Sequence, residues 1–202
     1  MKHLTSIMLC ITVIAAGGCR SKPRIAPLRA DSVIAAFGDS ITEGAGASPD
    51  ESYPVVLERL TGCKVVNCGV SGELSDEGAK RIGSVMERYH PNLVIICHGG
   101  NDLIRKEPYS QIEENLSGIV RTAKAMGGDV ILVGVPQPSI LLKAPKLYKR
   151  IAGKNNIPYE GRILHQILGD SSLKSDYIHP NAKGYSKLAE AILKLIRLSE
   201  IK

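Results

Sequence analysis

The sequence predicts an α/β protein, a three-layer α/β/α sandwich on a parallel sheet. Three observations predict it. Apolar runs at 32–38 (SVIAAFG), 63–69 (CKVVNCG), 92–100 (NLVIICHGG) and 129–136 (DVILVGVP) are bounded by Gly, Asn or Pro. Their continuous apolar character, in place of strict alternation, suits strands buried on both faces. Helical patterns fill the intervals, and strands alternating with helices call for parallel pairing and right-handed crossovers. The third observation is size: 202 residues without an internal repeat suit one domain with a substantial core.

Taken in order from Asp31, the first strand is followed by a helix over Pro54–Leu60, and the second by one over Asp76–Tyr89. After the third strand, Ser110–Met126 repeats apolar residues at Ile112, Leu116, Ile119, Val120 and Ala123, with Ser110 as the expected N-cap. The fourth strand leads into a helix over Lys146–Lys154, IPYEG (157–161) holds a fifth, short strand, and Ala182–Leu198 closes the domain, expected to span 31–202.

The N-terminal residues have a different character. Lys2 and His3 precede a largely apolar stretch, Leu4–Ala16, too short for a spanning helix of ~20 residues but suited to a signal peptide. Small residues Ala15–Gly18 then lead into Cys19. This resembles the bacterial lipobox, in which the Cys is lipidated, although Ala16 stands where Leu is commonest. The expectation is a signal peptide over 1–18 and a lipid anchor on Cys19, stable if more than one acyl chain contributes ~0.8 kcal/mol per buried CH₂. A secretory signal with an incidental Cys is the plainer alternative. Residues 20–30 (RSKPRIAPLRA) carry four basic residues, two prolines and no acid, and read as a soluble tether.

Cysteine usage agrees with export. Cys10 would leave with the signal, so Cys63, Cys68 and Cys97 remain. Cys63 and Cys68 bracket a strand at ~3.3 Å per residue, too far apart to bridge. The trio is neither a disulfide framework nor a zinc site and is expected to be buried. Composition (44% hydrophobic, 23% charged) is that of a globular protein. The net charge of +6 is spread along the chain without a dense basic run, which argues against nucleic acid; with no Trp and one Phe, stacking platforms are scarce.

Parallel sheets carry their sites at the carboxyl ends of their strands. There stand FGDSITEG (37–44), NCGVSGE (67–73) and HGGND (98–102), with DYIHPN (176–181) just before the last helix. These segments hold the parts for acyl transfer. A serine hydroxyl needs a base to remove its proton, imidazole titrates near neutrality, and a carboxylate orients the ring. Ser40, His179 and Asp176 supply those functions, and the three-residue spacing lets one turn present both Asp and His. Backbone N–H groups of Ser40 and Gly72, with the Asn101 side-chain amide, are the candidate oxyanion donors, and Gly72 leaves no Cβ in the substrate's way.

Duller roles exist for the same residues. Asp39-Ser40 suits a helix cap. Ser71, a rival nucleophile, lacks the G-x-S-x-G elbow because position 73 is Glu, so it is expected to shape a turn. His98 is read as a satisfied core histidine, His90 and His165 as helix residues without ligand spacing, and Asp102 as an acceptor for loop amides. The ligands a metal at Asp176 and His179 would further need are not clustered.

The four segments, in this order, resemble the blocks of the GDSL-type, or SGNH, serine hydrolases, and the resemblance spans 33 to about 185. It implies a flavodoxin-like, five-stranded parallel sheet, Ser40 as nucleophile, Gly72 and Asn101 completing the oxyanion hole, Asp176 and His179 completing the triad, and no cofactor or metal. Leu74 departs from the Thr that many members carry there. In length and order the chain is similar to the small bacterial branch with lysophospholipases, acyl-thioesterases and arylesterases. Its expected substrate is therefore a small-molecule acyl ester or thioester, with Ile140, Leu141 and Leu142 lining an acyl pocket or else covering the sheet edge. Carbohydrate O-acetyl esters are the alternative within hydrolases, and a non-catalytic surface-binding lipoprotein is the alternative outside them. A monomer is expected. Arg20, where inner-membrane lipoproteins carry Asp, points to an outer-membrane anchor facing the periplasm.

Overall fold

A computed structural model describes residues 22–138 and 142–201. The expected signal peptide, Cys10, Cys19, Ile140 and Leu141 lie outside the described residues. The described chain builds one five-stranded sheet from β1 (Val33–Gly38), β2 (Lys64–Gly69), β3 (Leu93–Cys97), β4 (Asp129–Val133) and β5 (Tyr159–Glu160). The order is β2-β1-β3-β4-β5 and every pairing is parallel. Gly38 pairs with both Gly69 and Cys97, so the first three strands end at one level.

The apolar runs become strands because both faces are covered. β1, β3 and β4 are buried throughout apart from Val33 and Asp129, the first residues of β1 and β4. β2 differs: as an edge strand it leaves Lys64 and Asn67 exposed. On one face α2 (Tyr53–Thr61) packs against α8 (Ala182–Ser199). On the other, α3 (Ser75–Tyr89) packs against α5 (Tyr109–Ala125), which also meets α6 (Lys146–Asn155). Ile112, Leu116, Ile119, Val120 and Ala123 of α5 are all buried, each larger side chain contributing about 1.5–3 kcal/mol. Among the described residues no helix is long and apolar enough to cross a membrane.

Four local expectations are corrected. α5 begins one residue before Ser110; Pro108 is its N-cap and Ser110 lies exposed in the first turn. β3 stops at Cys97 because Gly99 turns left-handed (φ 95°), and the segment expected as the strand's tail opens α4 (Gly100–Arg105). β4 likewise ends at Val133, short of Pro136. The segment read as a soluble tether is docked from Arg24 onward, where Arg24 donates to the Glu200 carbonyl at 2.9 Å. Ile25 is buried and bridges Glu200; its N–H donates to the Ser199 carbonyl (2.9 Å), and Ile201 N–H donates back to Ile25 (3.0 Å). Ala26 N–H reaches the Asp129 carboxylate at 2.7 Å, and Leu28 N–H reaches Glu200 at 3.0 Å. One isoleucine between prolines carries too little pattern to announce this. Cys63, Cys68 and Cys97 are free thiols, all buried, as expected.

Candidate active site

The strand order reverses direction between β1 and β3, and crevices form at such switch points. The two carboxyl ends meeting there deliver Ser40 and Asn101. They approach closely: a Cβ at Gly38 would run into the Cys97 carbonyl. Beyond Gly38, Asp39 caps the short helix α1 (Ser40–Glu43), its carboxylate accepting from Ile41 N–H at 3.2 Å. The second Asp39 oxygen accepts from Gly100 N–H at 3.1 Å, tying the ends of β1 and β3 together. Burial pushes the Asp39 carboxyl up, against the pull of His98 and of these amides. Asp39 thus fills the capping role while Ser40, the first helical residue, projects into the crevice.

His179 arrives from 139 residues away, on the loop preceding α8. That loop is held by its own polar groups. Asn181 caps α8, accepting from Gly184 N–H (3.1 Å) and donating to Ser172 and Lys174 carbonyls. Ser175 N–H donates to the His179 carbonyl (3.0 Å), and Tyr185 on α8 donates its hydroxyl to Ala45 O (2.7 Å) just past α1. Asp176 folds onto the turn, one oxygen accepting from Ile178 N–H and His179 N–H, both at 2.8 Å. Its other oxygen lies 2.8 Å from His179 Nδ1, and His179 Nε2 lies 3.0 Å from Ser40 Oγ. A carboxylate only accepts, so Nδ1 holds the ring proton and Nε2 accepts from the Ser40 hydroxyl. Burial works against ionisation of Asp176, but His179 and the two amides hold its carboxyl below the usual range.

Of the expected oxyanion donors, Ser40 and Asn101 line the cleft, and Gly72 stands in the loop after β2. Asn101, on α4, lines the cleft with Ser40 and His179, and one hydrogen of its amide is given to the Glu73 carbonyl at 3.0 Å. Gly72 immediately precedes that carbonyl in a left-handed turn (φ 79°) with open space where a Cβ would stand. Among the described residues, the N–H groups of Ser40 and Gly72 have no acceptor. The cleft is open to solvent, and counting the solvent space at its mouth it spans about 430 Å³. Its apolar lining includes Ile104, Val135, Pro136, Leu142, Leu168 and Ile178, together with the aromatic Tyr177. Of the expected pocket residues, Leu142 is there. Ile104 and Leu168 were not anticipated: Ile104 lies one helical turn beyond Asn101, and Leu168 lies on α7 (Ile163–Gly169), a helix too short to announce itself.

The alternative candidates fall elsewhere. Ser71 hydrogen-bonds the Glu43 carboxylate and shapes the second loop. His98 is fully buried and satisfied by Glu73 and Gly99. His90 ends α3 in a left-handed cap rather than lying within the helix, and His165 meets the Leu142 carbonyl at 3.2 Å. Asp102 accepts from Ser75 N–H, as a loop-binding carboxylate should. Among the described residues no group of three His, Cys, Asp or Glu is placed to hold a metal ion.

A parallel α/β sheet whose switch point holds a base-linked serine beside unfilled amide donors defines a serine hydrolase acting on ester bonds. Residues 36–187 match the GDSL-like lipase/acylhydrolase family, and the chain belongs to it. Among curated relatives it is 25% identical to esterase TesA of Pseudomonas aeruginosa, over 87% of this chain and 92% of that one. It is also 25% identical to the thioesterase 1/protease 1/lysophospholipase L1 of Escherichia coli K12, over 80% and 81% respectively. Esterase EstA from a Pseudoalteromonas species shares the fold, with a TM-score of 0.74 at 23% identity over 83% of this chain and 98% of that one.

Proposed function

We propose that this enzyme cleaves lysophospholipids or other acyl esters and thioesters through an acyl-enzyme on Ser40. The observation that carries the reading is the continuous line Asp176–His179–Ser40, 2.8 Å and then 3.0 Å, opening onto an apolar cleft. Ser40 Oγ attacks the ester carbonyl while its proton passes to His179 Nε2, and Asp176 steadies the imidazolium. The carbonyl oxygen becomes an oxyanion facing the N–H groups of Ser40 and Gly72 and the second hydrogen of the Asn101 amide. Collapse expels the alcohol or thiol, which takes the proton from His179. Water then attacks the acyl-enzyme by the same route, releasing the acid and restoring the Ser40 hydroxyl. The mostly aliphatic wall, in which Tyr177 is an aromatic member, favours an acyl chain over a sugar ring, and the Escherichia coli relative's name, a thioesterase and lysophospholipase, supports that preference.

The test is a fluorophosphonate probe with nitrophenyl esters from acetyl to palmitoyl. The expected result is labelling that Ser40→Ala abolishes and His179→Ala nearly abolishes, with turnover extending to medium or long chains. Acetyl-only turnover together with acetate release from glycans would replace the lipid reading by polysaccharide deacetylation, and absence of labelling would leave a binding lipoprotein. The same proposal places the enzyme in the cell envelope, exported, held by lipid on Cys19 and facing the periplasm from the outer membrane; Lys2, the apolar stretch and Ala15–Gly18 before Cys19 support it. Labelled palmitate should enter the wild type and not Cys19→Ala.

A further inference from the structure

Behind the cleft, and not lining it, lies a charged cluster that is buried at Glu73 and His98 and partly exposed at Arg81. Arg81 on α3 donates Nε to one Glu73 oxygen and an Nη2 hydrogen to the other, both at 2.7 Å. His98 Nε2 stands 3.0 Å from that second oxygen. His98 Nδ1 accepts from Gly99 N–H at 2.8 Å, so its proton is on Nε2 and is donated to Glu73. The Glu73 and His98 side chains are 6% and 0% exposed. Burial opposes ionisation of Glu73, yet Arg81 and His98 outweigh it and bring the carboxyl to about 2.

The cluster reaches every strand end that supplies an oxyanion donor. Arg81 also donates to the Cys68 carbonyl of β2 (3.1 Å) and stacks 4.3 Å from the Phe37 ring of β1, three residues before Ser40. His98 follows β3, three residues before Asn101. Glu73 follows Gly72 directly, and its carbonyl takes one of the two hydrogens on the Asn101 amide. The direction of the remaining hydrogen is set by where Glu73 sits. Gly78 makes room for this: a Cβ there would stand 2.6 Å from His98 Nε2.

We infer that Glu73, clamped by Arg81 and His98, is the positioning residue of the oxyanion hole, fixing the Gly72 N–H and aiming the Asn101 amide at the developing charge. It touches no reacting atom. The inference rests on Ser40 being the nucleophile, and its consequence falls on the transition state, where those donors act, rather than on substrate binding.

The experiment measures kcat and KM for nitrophenyl butyrate in the full chain with Glu73→Gln, Asn101→Ala and the double variant. Glu73→Gln should lower kcat about 10- to 100-fold with KM within about twofold, less than loss of a whole donor. If Glu73 acts through the donors, the double variant should be far less impaired than the product of the single effects; a merely structural role would multiply. Glu73→Gln with wild-type kcat, a loss confined to KM, or multiplicative effects would overturn the inference. Should Glu73→Gln fail to fold, Glu73→Gln/Arg81→Met leaves no unpaired buried charge and carries the same expectation, while Arg81→Lys, keeping the charge without the fork, should restore part of kcat relative to Arg81→Met. Wild type unlabelled at Ser40 would remove the reading underneath; a labelled, active wild type with an undiminished Glu73→Gln would remove this inference alone.

Discussion

Asp176 shows how much depends on one atom's identity. One of its oxygens is spent on two backbone N–H groups, which fixes the carboxylate before it meets the imidazole. In Asp176→Asn the amide oxygen can keep those backbone bonds, but an NH₂ then faces Nδ1. The ring must accept there and carry its proton on Nε2, where Ser40 needs an acceptor. Activity at neutral pH should fall about 10³- to 10⁴-fold, measured as kcat, with the fold unchanged by circular dichroism. A loss below tenfold would mean that another acceptor orients His179. As candidates, Ser40, Gly72 and Asn101 were legible in the sequence because each sits in a short polar segment following an apolar run, and Asp176 and His179 because DYIHPN stands just before the last helix. Glu73 and Arg81 were not, since eight residues apart they look like any two surface charges until α3 is folded against β1.

At the scale of elements, the cap of α8 has two jobs. Asn181 Oδ1 satisfies Gly184 N–H, and its amide holds the carbonyls of Ser172 and Lys174, so the cap braces the loop that carries His179. Asn181→Ala should cost about 1 kcal/mol in urea unfolding. It should also lower kcat, because His179 loses its brace; unchanged kcat would separate cap from catalysis. The docked N-terminal segment makes a second prediction. Ile25→Ala should destabilise by about 2 kcal/mol or more in the same measurement, whereas a free tether would tolerate it. The central strands were readable because both faces are buried, and the α5 stripe because five apolar positions repeat. α1, α4 and α7 were not, being one or two turns long and governed by Gly and Asp geometry instead of periodicity.

For the molecule as a whole, acid should be the revealing denaturant. Glu73 moves from an ordinary value of 4.5 to about 2 on folding. A depressed carboxyl contributes stability that is fully present above its unfolded value and is lost as pH falls through its folded value. The urea midpoint should therefore decline between pH 4.5 and about 2, and Glu73→Gln should flatten that decline; equal slopes would show that the charge is not what is lost. Asp39 works in the opposite sense, since burial raises its carboxyl, so the difference between wild type and variant isolates Glu73.

Ala26 is fastened where β4 begins and Ile25 to the end of α8, whereas Ser40 stands where β1 ends. Five residues lie between Cys19 and Ile25, a leash no longer than about 20 Å. A bilayer or a bead that held the protein by Cys19, as proposed, would lie within that reach of Ile25, at the heel of the sheet and away from its mouth. Esters arriving from the surrounding fluid would then meet that mouth ahead of those in such a surface.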